Sequence, residues 1–308
     1  MLPLINDWLN RASWQDPSWS VSSLLDLKAG RRISVVLPAL NEEATVGDVV
    51  ASVLPLAGSL VDEVVVVDSG SADGTVAVAQ AAGARVVRQA DVLPSIPVRP
   101  GKGEVLWRAL AATDGDILVF LDTDLVDPSP GFVPALLGPM LLSPVHLVKG
   151  FYRRPLRLET AEYGTGGGRV TELLARPLLA ALRPELTGVI QPLGGEYAVT
   201  REFAESVPFA AGYGVEIGLL LDAHARYGLD GLAQVNLGVR KHRNRNLLQL
   251  GVMARQILGA ALSRCDVVTN GDAAEFTQFT QIGGEWLPQE HSVLLSDRPP
   301  MRDVLSRS

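Results

Sequence analysis

Ile117-Leu118-Val119-Phe120-Leu121 ends at once on Asp122-Thr123-Asp124. An unbroken apolar run of this length predicts a strand buried on both faces, and such strands belong to mostly parallel sheets covered by helices. Along an extended chain, side chains two residues apart point the same way, so Asp122 and Asp124 are expected to face one crevice. In open α/β sheets that crevice lies beyond the carboxyl ends of the strands, where ligands bind. Paired carboxylates are hard ligands that suit Mg²⁺ or Mn²⁺, ions that complete their shells with water and substrate phosphates. A nucleotide-diphosphate site is therefore expected, although Asp-x-Asp alone also occurs in solvated turns and helix caps.

The preceding sequence predicts the rest of such a sheet. Ile33-Ser34-Val35-Val36-Leu37 reads as a first strand running into Pro38-Ala39-Leu40-Asn41-Glu42-Glu43, where proline at a strand end and asparagine before a helix mark a boundary. A second strand, Glu63 to Val67, closes on Asp68-Ser69-Gly70-Ser71, and a helix and a short strand around Ala84 to Arg88 follow. Alternating strands and helices make a nucleotide-binding half with a parallel sheet. No G-x-G-x-x-G follows the first strand and no G-x-x-x-x-G-K-[ST] occurs, which disfavours a dinucleotide cofactor and P-loop chemistry.

Further along, three stretches carry anion-binding or acid chemistry. Lys102 lies between Gly101 and Gly103, which lets backbone and ammonium approach a phosphate closely; a flexible surface loop is the alternative. Gly166-Gly167-Gly168-Arg169-Val170-Thr171 predicts a helix start whose bare amides, guanidinium and hydroxyl suit a phosphate or carboxylate. The same glycines could serve only as a hinge. Gly212 to Leu220 predicts an apolar helix with Glu216 in its first turn, placed to stabilise the helix dipole or to order a sugar or a metal-bound group.

The run Arg240-Lys241-His242-Arg243-Asn244-Arg245 follows a predicted strand, Ala233 to Val239, and so reaches the same rim as Asp124. Four cations around His242 resist its protonation and leave a ring nitrogen available to a metal; a solvated basic turn is the bland alternative.

Composition narrows the classes. The chain has 308 residues, 47% of them hydrophobic, enough for one large domain or a domain with an appendage. A net charge of −7 argues against general nucleic-acid binding. A single cysteine, Cys265, excludes an internal disulfide framework and fits a reducing compartment. No apolar run reaches the roughly 18–20 residues needed to span a bilayer, and no signal peptide is evident, so a soluble cytoplasmic protein is expected. Residues 1–30, with Trp8, Trp14 and Trp19, read as an arm that packs on the main domain or on a second subunit. From about residue 265 to 308 the chain reads as a polar, irregular tail without chemistry.

The stretches VVLPALNEEAT, RPGKGEVLWR, TGGGRVTELLARPLLAALRPEL, GYGVEIGLL and QVNLGVRKHRNR together carry a resemblance. Over roughly residues 31–264 the chain resembles the actinobacterial glucosyl-3-phosphoglycerate synthase family, retaining GT-A glycosyltransferases that include some mannosyl-3-phosphoglycerate synthases. The resemblance implies a GT-A type α/β fold, a Rossmann-like mostly parallel sheet flanked by helices. It also implies a donor half over about 31–145, an acceptor half over about 146–264 and a carboxyl-terminal extension.

It implies further that Pro38, Ala39, Leu40, Asn41, Glu42, Ser69 and Lys102 hold a UDP-sugar, and that Asp122 and Thr123 contact the nucleotide. Asp124 and His242 would ligate Mg²⁺ or Mn²⁺. Tyr213, Gly214, Val215 and Glu216, with Arg240, Arg243 and Arg245, would complete the donor pocket. Gly168, Arg169, Val170, Thr171 and Asn244 would hold 3-phosphoglycerate.

Lys102, Arg169 and Glu216 are the expected catalytic residues for moving glucose from UDP-glucose to the acceptor 2-hydroxyl. GDP-mannose as donor to the same acceptor stays open, as do a nucleotidyltransferase and a non-catalytic nucleotide-sugar-binding regulator. A polyprenyl-phosphate glycosyltransferase is disfavoured by the absence of a membrane segment or an amphipathic basic helix. Retention follows from the resemblance. Same-face attack is the preferred route, with Glu216 the one nominee for a double displacement. A homodimer is expected, with no interface marked in the sequence.

Overall fold

The structure, a computed structural model, describes residues 2–153, 156–158, 161–163, 168–239, 246–268 and 273–306. It opens with helix α1 (Pro3–Ala12), strand β1 (Ser13–Trp14) and helix α2 (Val21–Lys28). The first half of the sheet follows as β2 (Ile33–Ala39), α3 (Val46–Val53), β3 (Glu63–Asp68), α4 (Thr75–Ala81), β4 (Arg85–Arg88), α5 (Lys102–Ala112) and β5 (Ile117–Phe120). Then come α6 (Phe132–Leu142), β6 (Leu147–Arg153) and a small pair, β7 (Leu156–Leu158) and β8 (Ala161–Tyr163).

A π-helical turn at Thr171–Ala175 leads into α7 (Arg176–Leu182). Next are β9 (Tyr197–Thr200), α8 (Arg201–Ser206), α9 (Val215–Tyr227), β10 (Leu232–Val239) and α10 (Leu247–Arg264). The carboxyl-terminal part comprises β11 (Ala273–Ile282), β12 (Glu285–Leu294) and α11 (Met301–Leu305).

Eight strands form one sheet in the order β1-β10-β6-β9-β5-β2-β3-β4. Every pairing is parallel except those of β9, which lies antiparallel between β5 and β6. The α/β, mostly parallel, helix-flanked sheet expected from the sequence is the fold. Ile117, Leu118, Val119 and Phe120 are each at most 1% exposed, so β5 is covered on both faces as its unbroken apolar run requires. Each such side chain contributes about 1.5–3 kcal/mol by leaving water. The parallel neighbours β5, β2 and β3 bring three loops to one rim. The two reversals around β9 cancel, so β6 and β10 also end on that side.

The tryptophan-bearing segment packs on this same sheet. Trp8 is buried and its indole N–H donates to the Leu232 carbonyl at 3.0 Å. Ser13 and Trp14 add an edge strand beside β10, and Trp19 lies against Gly138 where any Cβ would collide with its ring. Among the described residues no helix is long and apolar enough to cross a membrane.

The expectation of an irregular tail is overturned. β11 and β12 pair antiparallel from Ala273–Leu294 to Ile282–Glu285, turning at Gly283-Gly284 with φ of +60° and +91°. Two glycines at positive φ are the type I′ hairpin signal, but most side chains of the hairpin are exposed, which erases the apolar alternation that marks a half-buried strand. Beyond it the chain returns to the core. Arg298 pairs with the Glu104 carboxylate at 2.6 Å, and the Trp107 indole donates to the Pro299 carbonyl at 2.8 Å.

Candidate active site

The loops after β2, β3 and β5 are bonded to one another. Asn41 takes a φ of +56°, which its short polar side chain tolerates; its amide donates to the Ser71 hydroxyl and its side-chain oxygen accepts from the Ala72 amide, each at 2.9 Å. The Glu42 amide donates to the Thr75 hydroxyl at 2.8 Å, and the Ser69 hydroxyl donates to the Ala39 carbonyl at 2.8 Å. The Thr123 hydroxyl donates to the Pro38 carbonyl at 2.7 Å. These bonds join the three loops into one preformed surface, the property that lets a site bind without first ordering itself.

That surface is the floor of a cleft of about 330 Å³. Pro38, Ala39, Leu40 and Glu42 line it from the first loop and Ser69 from the second. Asp122, Thr123 and Asp124 line it from the third, and Lys102 and Tyr213 from the side. Asn41, whose side chain is turned to Ala72, lies in the same first loop. Gly214 and Val215 lie buried at the start of α9, with Gly214 packed on Ala260 and Ala210.

Lys102 is the first residue of α5, and its flanking glycines have a packing role. A Cβ on Gly101, whose φ is +103°, would lie 2.8 Å from the Gly212 Cα, and one on Gly103 would strike the Ala210 carbonyl. Only glycine lets α5 begin so close to the Ala210–Gly212 turn that precedes α9. The approach brings Lys102 to Glu216 in the first turn of α9. Its Nζ donates to Asp122 Oδ1 at 2.5 Å and lies 2.7 Å from Glu216 Oε1, a charge contact outside hydrogen-bond geometry. Burial opposes the ammonium charge, but Asp122 and Glu216 outweigh it and hold Lys102 well above the ordinary lysine value.

At the turn expected to hold the acceptor, Gly168 has a φ of +77° and its carbonyl accepts from the Glu172 amide at 3.0 Å. Arg169 and Val170 begin the helical turn, Val170 packs on the core and Thr171 is buried. The π-helical turn that follows is a geometry often found at functional sites. It packs on α10, whose Gln256 side chain accepts from the Tyr213 amide at 3.0 Å. One helix thus braces both the expected acceptor turn and a wall of the cleft.

Gly166, Gly167, Arg240, His242, Arg243, Asn244 and Arg245 lie outside the described residues. The last five follow directly on β10, which ends on the rim that carries Asp124. Among the described residues no group of three or more His, Cys, Asp and Glu gathers to hold a metal. Asp124 beside Asp122 offers hard oxygen donors at the cleft, which fits a divalent cation whose remaining ligands are phosphate and water oxygens.

Residues 34–160 match the model of glycosyl transferase family 2. The glucosyl-3-phosphoglycerate synthase of Mycolicibacterium smegmatis is 61% identical to this chain, over 97% of this chain and 99% of its own. The chain belongs to the glucosyl-3-phosphoglycerate synthase family. Two solved structures of that synthase from Mycobacterium tuberculosis, each 56% identical here, share the fold. One, in complex with Mg²⁺ and UDP, covers 95% of this chain and 99% of its own at a TM-score of 0.88. The other, in complex with Mn²⁺, UDP-glucose and phosphoglyceric acid, covers 95% and 98% at 0.85.

In this glucosyl-3-phosphoglycerate synthase family member the cleft also includes Gln89, Pro100, Gly101 and Val105, which sequence reasoning did not single out. Gln89 follows a short strand and carries no local signature; its amide N–H donates to the Ser69 carbonyl at 3.0 Å. Pro100 and Gly101 were visible only as neighbours of Lys102. The ion pairing of Lys102 with Glu216 joins residues 114 positions apart, which no spacing rule reveals.

Proposed function

We propose that this protein is a retaining glucosyltransferase that moves glucose from UDP-glucose to the 2-hydroxyl of 3-phospho-D-glycerate, giving glucosyl-3-phosphoglycerate and UDP. The carrying observation is a preformed cleft at the ends of β2, β3 and β5, with Asp124 and Lys102 on it. It lies in a chain whose near full-length relatives include one solved with UDP-glucose and phosphoglyceric acid.

Pro38 to Glu42, Ser69, Asp122 and Thr123 hold the nucleotide, with Tyr213 as a side wall. Asp124, together with His242, ligates Mg²⁺ or Mn²⁺; when bound, such an ion stabilises the charge on the departing diphosphate. Arg240, Arg243 and Arg245 are assigned to complete the donor pocket. Gly168 to Thr171 and Asn244 grip the acceptor anions and set its hydroxyl against the anomeric carbon, which makes the attack effectively intramolecular.

Glu216 is 4% exposed and committed to the Lys102 ammonium. That favours same-face attack, with the acceptor proton passing to a diphosphate oxygen, over a double displacement through Glu216. Residues 31–145 then act as the donor half and 146–264 as the acceptor half, with 1–30 as an arm and 265–308 as a tail.

A homodimer and a cytoplasmic location complete the reading. Phe279, Ile282 and Trp286 are more than half exposed on the hairpin, and exposed apolar side chains on an open strand pair favour association with a second copy. Cys265 as a free thiol fits a reducing compartment. A donor panel tests the reaction: UDP-glucose with 3-phosphoglycerate is expected to turn over at least tenfold faster than GDP-mannose, and the reverse preference would assign the mannosyl reaction. Sedimentation of the full chain at micromolar concentration tests the dimer, and a monomer would remove it.

A further inference from the structure

Lys149 occupies the middle of β6, paired in register with Tyr197 of β9 and Gln234 of β10. Its neighbours Leu147, Val148 and Phe151 are buried and apolar, and Lys149 itself is 2% exposed. A lysine at such a place is expensive unless its charge has partners. Its Nζ donates to the Gly194 carbonyl at 2.5 Å and sits 4.8 Å from the centre of the Tyr197 ring. Burial lowers the ammonium to about 8, opposed by Glu216, Glu196 and Asp122 and reinforced by Lys102.

The Gly194-Gly195 turn is confined on both sides. A Cβ on Gly194 would come 3.0 Å from the Gly150 carbonyl of β6, and one on Gly195 would come 2.3 Å from Asp122 Oδ2. The turn is therefore wedged between β6 and the Asp122 carboxylate, which in turn holds Lys102 on the cleft. Lys149 is a side-chain donor to this turn's Gly194 carbonyl, at 2.5 Å.

We propose that Lys149 is a positioning residue for glucosyl transfer: by fixing the Gly194-Gly195 turn it keeps Asp122 and Lys102 in place at the cleft. It acts through the turn and touches neither substrate. The inference rests on the glucosyltransferase reading, and wild-type turnover in the same assay separates a failure of that reading from a failure of this one.

The test compares Lys149→Met, which loses both charge and donor, with Lys149→Gln, which keeps an N–H donor. Both are assayed as full chains with UDP-glucose, 3-phosphoglycerate and Mg²⁺, with folding followed by circular dichroism and thermal melting. A misplacement on the order of 1 Å in a reacting site lowers turnover by about 100-fold. Lys149→Met is expected to lower kcat by that order while the KM for 3-phosphoglycerate stays within about threefold, and Lys149→Gln is expected to recover at least tenfold of the loss. A folded Lys149→Met with kcat within twofold of wild type would overturn the assignment. So would a Lys149→Gln variant as inactive as Lys149→Met at wild-type melting temperature. Should Lys149→Met fail to fold, Lys149→Gln decides alone: kcat within about tenfold of wild type supports the role and a larger loss overturns it.

Discussion

Asp124, the described residue proposed as a metal ligand, lines the cleft. Asp124→Ala is therefore expected to remove the Mg²⁺ dependence of UDP binding, which titration calorimetry with and without the ion measures; an unchanged dependence would assign the ion elsewhere. Lys149 makes a second prediction at this scale. Its folded value of about 8 lies below the ordinary 10.5, so the folded protein releases that proton before the unfolded chain does. Between those values the unfolded state binds more protons, and stability rises with pH. Below about pH 8 the buried charge costs on the order of 3 kcal/mol, a penalty relieved as pH climbs toward 10.5. Glu216, Glu196, Asp122 and Lys102 all act on this group and are contained in that net value, and the Tyr197 ring lies 4.8 Å from it. Urea unfolding is expected to show wild type gaining stability relative to Lys149→Met from pH 8 to pH 10, and a flat difference would contradict the burial argument.

Among elements, the parallel core was legible because a buried strand writes an unbroken apolar run, as Val64 to Val67 and Ile117 to Leu121 do. The rim was legible for a related reason: polar residues placed abruptly after such runs can only be strand-end loops. What pattern could not show was contact between distant segments. The meeting of Lys102 with Glu216 depends on two glycines pressing α5 against the turn before α9, and the hairpin at Ala273–Leu294 hid behind exposed faces. The turn proposed for the acceptor was legible as glycines before a helix, but not its π-helical geometry or its bracing by α10. Arg169→Ala is expected to raise the KM for 3-phosphoglycerate at least tenfold while that for UDP-glucose stays within threefold. Equal losses in steady-state kinetics would merge the two sites.

Across the whole molecule, the chain's end returns to fasten α5. Arg298 is 8% exposed, pairs with Glu104 at 2.6 Å and lies 4.9 Å from the centre of the Trp107 ring, two residues of the helix that begins with Lys102. Burial raises the Glu104 carboxyl, but Arg298 and Arg108 more than offset it and hold it below the ordinary value. Removing one partner of a buried pair costs about 3 kcal/mol, so Arg298→Ala is expected to lower the melting temperature by roughly 5 °C. A shift under about 2 °C would make the contact incidental. The central claim is glucosyl transfer between two anions gathered at one rim. Mass spectrometry of the full chain incubated with UDP-glucose, 3-phosphoglycerate and Mg²⁺ tests it most directly. The expected result is glucosyl-3-phosphoglycerate formed in equal amount to UDP and absent when the ion is chelated. Bound UDP-glucose without that product, or pyrophosphate released from UTP and glucose 1-phosphate instead, would contradict it.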